Sequence, residues 1–198
     1  MKKYLLLILF LVSLSSFSQN GQEIKSSLYS RNIITVSPLG IVNKVRVKYE
    51  RALDKNFSIG TFLSYYYRRY NGLQIAPIGR FYFNNEAPNG FYIQLKALFS
   101  MHRRTFTFPN PLNGGTLYQY QHDFISYGGG FGLGYQILAG KNNNIVIDLG
   151  IGGKYMAVNK PDGNVLVGNV YNAIDNAIYY TTGPGSIFDG HVGVGIAF

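Results

Sequence analysis

The chain has no cysteine among its 198 residues. That excludes disulfides, thiolate metal sites, a thiol nucleophile and a lipid-modified N-terminal cysteine. Tryptophan is also absent, and charged residues make up only 14%, against about 25% in ordinary soluble domains. No stretch holds a helical 3.6-residue apolar period over a useful length. No apolar run approaches the ~20 residues that a membrane-crossing helix needs. The run YLLLILFLV ends after residues 4–12. Nucleotide-binding glycine patterns fail as well. A dinucleotide fingerprint begun at Gly128 needs glycine where Leu133 stands, and a phosphate loop before Gly140-Lys141 meets Tyr135 and Asn142 at the wrong places. His102, His122 and His191 have no metal-ligand spacing, so no metal or cofactor is expected.

Aromatics and glycine are abundant instead, with 17 Tyr, 14 Phe and 24 Gly. Residues 1–18 read as a signal peptide. Lys2 and Lys3 precede the apolar run, and Ser16-Phe17-Ser18 supplies a small-x-small cleavage site before Gln19. Export is the expectation. Removing the two lysines takes the formal charge from +9 to +7. Residues 19–30 read as a periplasmic N-terminal segment and 31–198 as a β-barrel.

Period-two alternation fills the rest. Strands are expected at 45–50, 57–68, 73–83, 91–103, 126–136, 145–156 and 188–198, with an eighth near 31–37. The adjacent Ile33 and Ile34 leave the register of that eighth strand open. Turns at 54–56, 84–90 and 140–143 are short, whereas 38–43, 69–72, 108–121 and 159–185 are read as loops. Short turns at one end and longer loops at the other match a transmembrane barrel. The fold expected is all-β, an eight-stranded antiparallel up-and-down transmembrane β-barrel in the bacterial outer membrane.

Three features orient the two faces. Gly128, Gly130, Gly132 and Gly134 lie on one face of a single strand, with Gly150, Gly152, Gly193 and Gly195 on the two strands after it. Inside a narrow barrel such a wall makes room for large inward groups; on a soluble surface it gains nothing. Tyr49, Phe57, Phe81, Phe83, Phe91, Tyr135 and Phe198 fall on the opposite face near one end of their strands, as a periplasmic-side aromatic girdle does. The C-terminal strand ends at Phe198, which looks like the signal read by barrel-insertion machinery.

With these features the chain resembles eight-stranded outer-membrane barrels of the OmpA/OmpX type. It resembles most a group of uncharacterised outer-membrane barrels carrying SPLG (37–40), YERAL (49–53), PIGRFYF (77–83) and APNGFYI (87–93). The resemblance implies a surface barrel without an established reaction and supplies no catalytic residues.

Parity turns Glu50, Asp148 and Asp189 inward, with Arg46, Lys48, Arg68, Arg80, Lys96, Arg104 and Lys154. Buried charges cost several kcal/mol unless paired. A lumen network of Glu50, Arg80, Lys96, Asp148 and Lys154 follows, with Glu50 meeting Arg80 and either Lys96 or Lys154 reaching Asp148. The expected role is structural or surface-interacting, through loops such as the apolar 159–185, on a plugged lumen. The alternatives are a small gated anion-preferring pore, suggested by three acids against seven bases, and a lipid A-modifying enzyme using Ser100, His102, Asp123 and Ser126. No enzyme is expected. Partners expected are outer-membrane lipid, lipopolysaccharide and the insertion machinery. No nucleic acid is expected, because the cationic side chains alternate inward, and the barrel is read as a monomer.

Overall fold

The structure, a computed structural model, describes residues 32–39, 41–109, 117–158, 178–181 and 183–198. The segments read as signal peptide and periplasmic N-terminus lie outside them. Eight strands follow one another around a closed antiparallel barrel. They are β1 (Asn32–Ser37), β2 (Lys44–Ala52), β3 (Phe57–Tyr67), β4 (Asn71–Tyr82), β5 (Gly90–Pro109), β6 (Leu117–Ala139), β7 (Ile145–Val158) and β8 (His191–Ala197). β8 closes on β1 through Ile34↔Ile196 and Val36↔Val194.

The period-two pattern has one physical outcome on every strand. In β2, Arg46, Lys48 and Glu50 are buried in the lumen while Val45 and Val47 are exposed on the outer wall. The open register of β1 resolves the same way, with Ile33, Thr35 and Ser37 inward and Ile34 and Val36 outward. The interior is layered. Ile33, Val146 and Ala197 pack near the turn end, and Phe62, Ala76, Ile78, Leu98 and Met156 form an apolar layer further in.

Glycines make this interior possible. The β5–β6 register sets Tyr92 opposite Gly134, Gln94 opposite Gly132 and Lys96 opposite Gly130. A Cβ on Gly134 would meet the Tyr92 phenol, one on Gly150 the His191 ring, and one on Gly130 would lie 2.8 Å from Lys96 Cε. The side chains accommodated therefore come largely from the neighbouring strand, lying flat across the glycine wall, and not only from the far side of the barrel.

Two boundaries differ from those expected. The segment 108–121, read as a loop, is mostly strand: β5 and β6 stay paired from Gly90↔Gln136 to Pro109↔Leu117. β4 leaves β5 at Asn71↔Arg103, and β7 leaves β6 at Ser126↔Val158. Among the described residues, Arg104–Pro109 and Leu117–Ile125 thus form a two-stranded ribbon beyond the rim. Six residues carry it about 20 Å past the barrel. Arg68 was expected inward, but β3 ends at Tyr67 and Arg68 is exposed in the turn that follows. Strand parity does not extend past the last ladder bond. Of the apolar stretch in 159–185, residues 178–181 form a helical turn and 159–177 lie outside the described residues.

Gly134→Leu should lower stability by about 1–3 kcal/mol through overpacking against Tyr92. Gly79→Ala, whose added Cβ meets nothing within 4 Å on the outer wall, should stay within about 0.5 kcal/mol. Urea-unfolding midpoints of the two refolded variants check this; equal shifts would contradict the space-making role.

Candidate functional site in the barrel lumen

Strand parity delivers ionic groups to the lumen from β2, β4, β5, β7 and β8. At the turn end they form a balanced quartet. Arg80 Nη1 donates to Glu50 Oε2 at 2.9 Å, and Nη2 donates to Asp148 Oδ2 at 3.0 Å. Lys48 Nζ reaches the same two acceptors at 2.5 and 2.6 Å. None of the four is more than 1% exposed, so neither acid has solvent to replace a lost partner.

The remaining valences are also used. Arg80 Nε donates to Gln94 Oε1 at 3.0 Å, and the Gln136 side-chain oxygen accepts from Lys48 at 2.7 Å and from Arg80 at 3.1 Å. Ser58 and Tyr82 each donate to Glu50 Oε1 at 2.6 Å, and Tyr92 donates to Asp148 Oδ1 at 2.7 Å. His191 Nε2 sits 3.2 Å from Asp148 Oδ2. The Arg80 guanidinium lies 4.0 Å from the centroid of the Tyr92 ring, a stacking geometry that suits its planar cation. From the turn between β4 and β5, the Pro88 carbonyl accepts from Gln136 Nε2 at 2.6 Å and adds backbone to the seal.

A second cluster lies toward the loop end. The segment before β8 drops into the barrel mouth and carries Asp189, which accepts from Arg46 at 3.1 Å and pairs with Lys96. Lys154 Nζ donates to the Pro184 carbonyl at 2.7 Å, and Tyr179 donates to Ser126 Oγ at 2.6 Å. Backbone bonds from Lys154 N to Ile187 O and from Asp189 N to Gly152 O, 2.9 and 3.0 Å, tie this segment to β7.

Glu50 and Arg80 therefore meet. Lys96 and Lys154 do not reach Asp148, and that expectation is corrected. Both lysines sit at the level of Gly130, whereas Asp148 pairs with Gln136. Six residues of strand separate the two levels, about 20 Å. Lys96 and Lys154 face Asp189 and Pro184 instead, and Lys48 fills the place given to them. Lys48 was legible as inward by its spacing from Glu50, but parity names a face and not a partner. His191 was missed for the same reason.

The outer wall carries the aromatics at the turn end. Phe57 and Phe81 lie 5.0 Å apart, Phe81 and Phe83 5.2 Å, and Phe83 and Phe91 5.5 Å. Tyr135 pairs with Phe91 in the next ladder. Tyr49 donates its hydroxyl to Asn32 at 3.0 Å, and Phe198 is exposed beside the start of β1. The residues weighed for a hydrolytic set are not assembled. Asp123 binds Arg103 at 2.7 Å on the exposed face of the ribbon. His102 is buried between Tyr66 and Tyr70, and among the described residues neither of its ring nitrogens has a hydrogen-bond partner.

A family model described as "Protein of unknown function (DUF3575)" matches residues 4–176. No curated protein and no solved structure matches the chain.

Arg80→Met should destabilise the barrel by about 3–5 kcal/mol, because two buried carboxylates lose their shared partner. Adding Glu50→Gln should restore part of the loss by leaving one acid for Lys48. Urea-unfolding free energies around this double-mutant cycle check it; strictly additive effects would deny the coupling.

Proposed function

The chain belongs to the DUF3575 family of proteins of unknown function, and we propose that it is a bacterial outer-membrane β-barrel with a plugged lumen and a structural or surface-interacting role. The observation that carries the reading is the inverted polarity of the wall. Leu95, Phe131 and Ile151 are 70%, 66% and 69% exposed, while Arg80, Lys48, Glu50 and Asp148 are sealed inside. A soluble barrel gains its stability by the opposite arrangement. An apolar band running through Val36, Val47, Leu63 and Phe99 and back through Val194 far exceeds the few hundred Å² of apolar patch that monomers leave in water.

The dimensions agree. On β3 the outward aromatics Phe57 and Tyr67 stand ten residues apart. That is about 33 Å of strand, or about 25 Å along the membrane normal at a tilt near 40°, the height of a lipid-facing band. Phe57 belongs to the girdle at the turn end, and Tyr65, Tyr67, Tyr127 and Tyr155 are exposed toward the loop end. The basic and apolar leader 1–18 fits export. On this reading the barrel is similar to those of the OmpA/OmpX type and works as a monomer whose partners are lipid and lipopolysaccharide.

A plugged lumen is supported by the balanced quartet, which fills the turn-end section with paired charge, amide and phenol groups. Eight strands leave an interior that side chains just fill. Interaction at the surface then falls to the parts beyond the rim. The β5–β6 ribbon offers exposed polar side chains such as Thr105, Gln119 and Gln121. No catalytic step is assigned.

Nitroxide labels at Val47, Leu133 and Val194 in lipid vesicles should be relaxed by oxygen and shielded from a water-soluble nickel chelate. Labels at Thr105 and Gln121 should behave in the reverse sense. Planar-bilayer recordings of the same refolded protein should lack discrete conductance steps. Water-exposed labels on the wall would remove the membrane assignment, and steady single-channel steps would replace the plug with a pore.

A further inference from the structure

The two halves of the lumen differ in charge. The turn-end quartet holds two acids and two bases. Toward the loop end, among the described residues, Asp189 faces four bases: Arg46, Lys96, Lys154 and Lys44. Asp189 is taken up by Arg46 and Lys96. Among the described residues, Lys154 Nζ donates to the Pro184 carbonyl and feels Asp189 at longer range. Lys44 Nζ, among the same residues, donates to the Tyr66 hydroxyl at 3.4 Å, with its ammonium 5.2 Å from the centre of that ring. These two ammonium groups share with Arg46 and Lys96 the single negative charge of Asp189, an arrangement that is costly when solvent is scarce.

A pocket of about 190 Å³ opens beside this cluster without being lined by either lysine. Tyr66, the partner of Lys44, lines it, as does Gly183, next in the chain to Pro184. Asn43, Arg68, Arg69 and Tyr70 complete the part that concerns a ligand. Two guanidinium forks, an amide and a nearby ammonium offer many donors. Guanidinium pairs match the oxygens of a tetrahedral or planar anion, and a halide cannot use them bidentately. A phosphate group carries a charge of about −1.5 to −2, which offsets much of the excess of four bases over one acid.

We propose that this pocket binds a phosphate-type oxyanion, presented either by a soluble phosphate compound or by a lipid headgroup. The proposal stands on the charge count and the pocket lining and does not require the membrane assignment. The bound anion offsets part of the positive excess of the loop-side half and bridges the Arg68–Arg69 turn to Gly183, at the start of the segment that carries Asp189.

The test uses the full-length chain refolded in a phosphate-free maltoside detergent. Inorganic phosphate is titrated at constant ionic strength set with chloride and followed by phosphorus NMR line width. Saturable binding is expected. Arg68→Gln and Arg69→Gln should each weaken it about tenfold, the scale of one charge-assisted hydrogen bond. Both arginines are exposed, so the fold should survive. Arg103→Gln, which breaks an exposed pair with Asp123 outside the pocket, should leave binding unchanged. A second arm places the barrel in nanodiscs of uncharged glycolipid with increasing phosphatidylglycerol. Loss of inorganic phosphate binding there identifies a headgroup source, and retention identifies a soluble one. Non-saturable broadening, equal displacement by chloride, or an Arg103→Gln effect as large as that of Arg68→Gln would overturn the proposal.

Discussion

The Arg80 guanidinium is the interaction on which the interior depends. Its Nε, Nη1 and Nη2 reach Gln94, Glu50 and Gln136, and Asp148, which come from β5, β2, β6 and β7. An ordinary core would bring such strands together by apolar packing. Here the outward face already holds the apolar residues, so the inward face must be joined by polar groups with no water to satisfy the remainder. That leaves no tolerance for an unmatched acid or base. The pairing of Arg80 and Lys48 with Glu50 and Asp148 is what makes the desolvation bearable.

The glycine wall is the steric side of the same constraint. Tyr92 donates to Asp148 from a position where its ring lies over Gly134. Any side chain at Gly134 would push the phenol away from the carboxylate. The loss of strand propensity at Gly134 is therefore tied to the charge network, whereas a Cβ at Gly128 or Gly132 would first meet the backbone of β7. The loop-side half is built differently. There Asp189 arrives on the chain segment that leads into β8, and the acid belongs to that connection and not to a strand of the wall. Charge balance at the turn end is fixed by strand pairing, whereas at the loop end it depends on a connection staying in place.

Much of the architecture was legible because alternation in a closed barrel has a single physical meaning on every strand. Inward Arg46, Lys48, Glu50, Arg80, Asp148 and Lys154 were readable from parity, as was the aromatic set at the turn end. What parity lacks is height. Lys154 and Asp148 share a face of β7 but stand at different levels, and only the ladder register separates them. Strand ends were equally obscure. Polar–aromatic alternation in Arg104–Pro109 and Leu117–Ile125 looks like a loop when apolarity is taken as the mark of a strand. A ribbon whose edges lie outside the barrel ladder has no need of an apolar face. Arg68 shows the converse error, in which alternation is carried one residue beyond the last ladder bond. The Lys48 and His191 partnerships lay beyond sequence reasoning because parity does not fix height: Lys48 meets Asp148 across the hollow from 100 residues away, and His191 meets the same carboxylate from the neighbouring strand.

The buried charges also bear on which barrel forms. A one-residue slip between neighbouring strands turns every side chain to the other face. In an all-apolar lumen the slipped state would differ little from the native one, since both faces would hold similar groups. With Arg46, Lys48 and Glu50 on β2, the slip would carry three ionic groups to the outer wall and bring Val45, Val47 and Tyr49 inside. On β7 it would expose Asp148 and Lys154. If the wall faces hydrocarbon, each cation moved to mid-depth costs about 2–4 kcal/mol, and the quartet is lost in the same step. The network then contributes more to excluding wrong registers than to net stability, because an apolar lumen of equal volume would match its stability but not its discrimination.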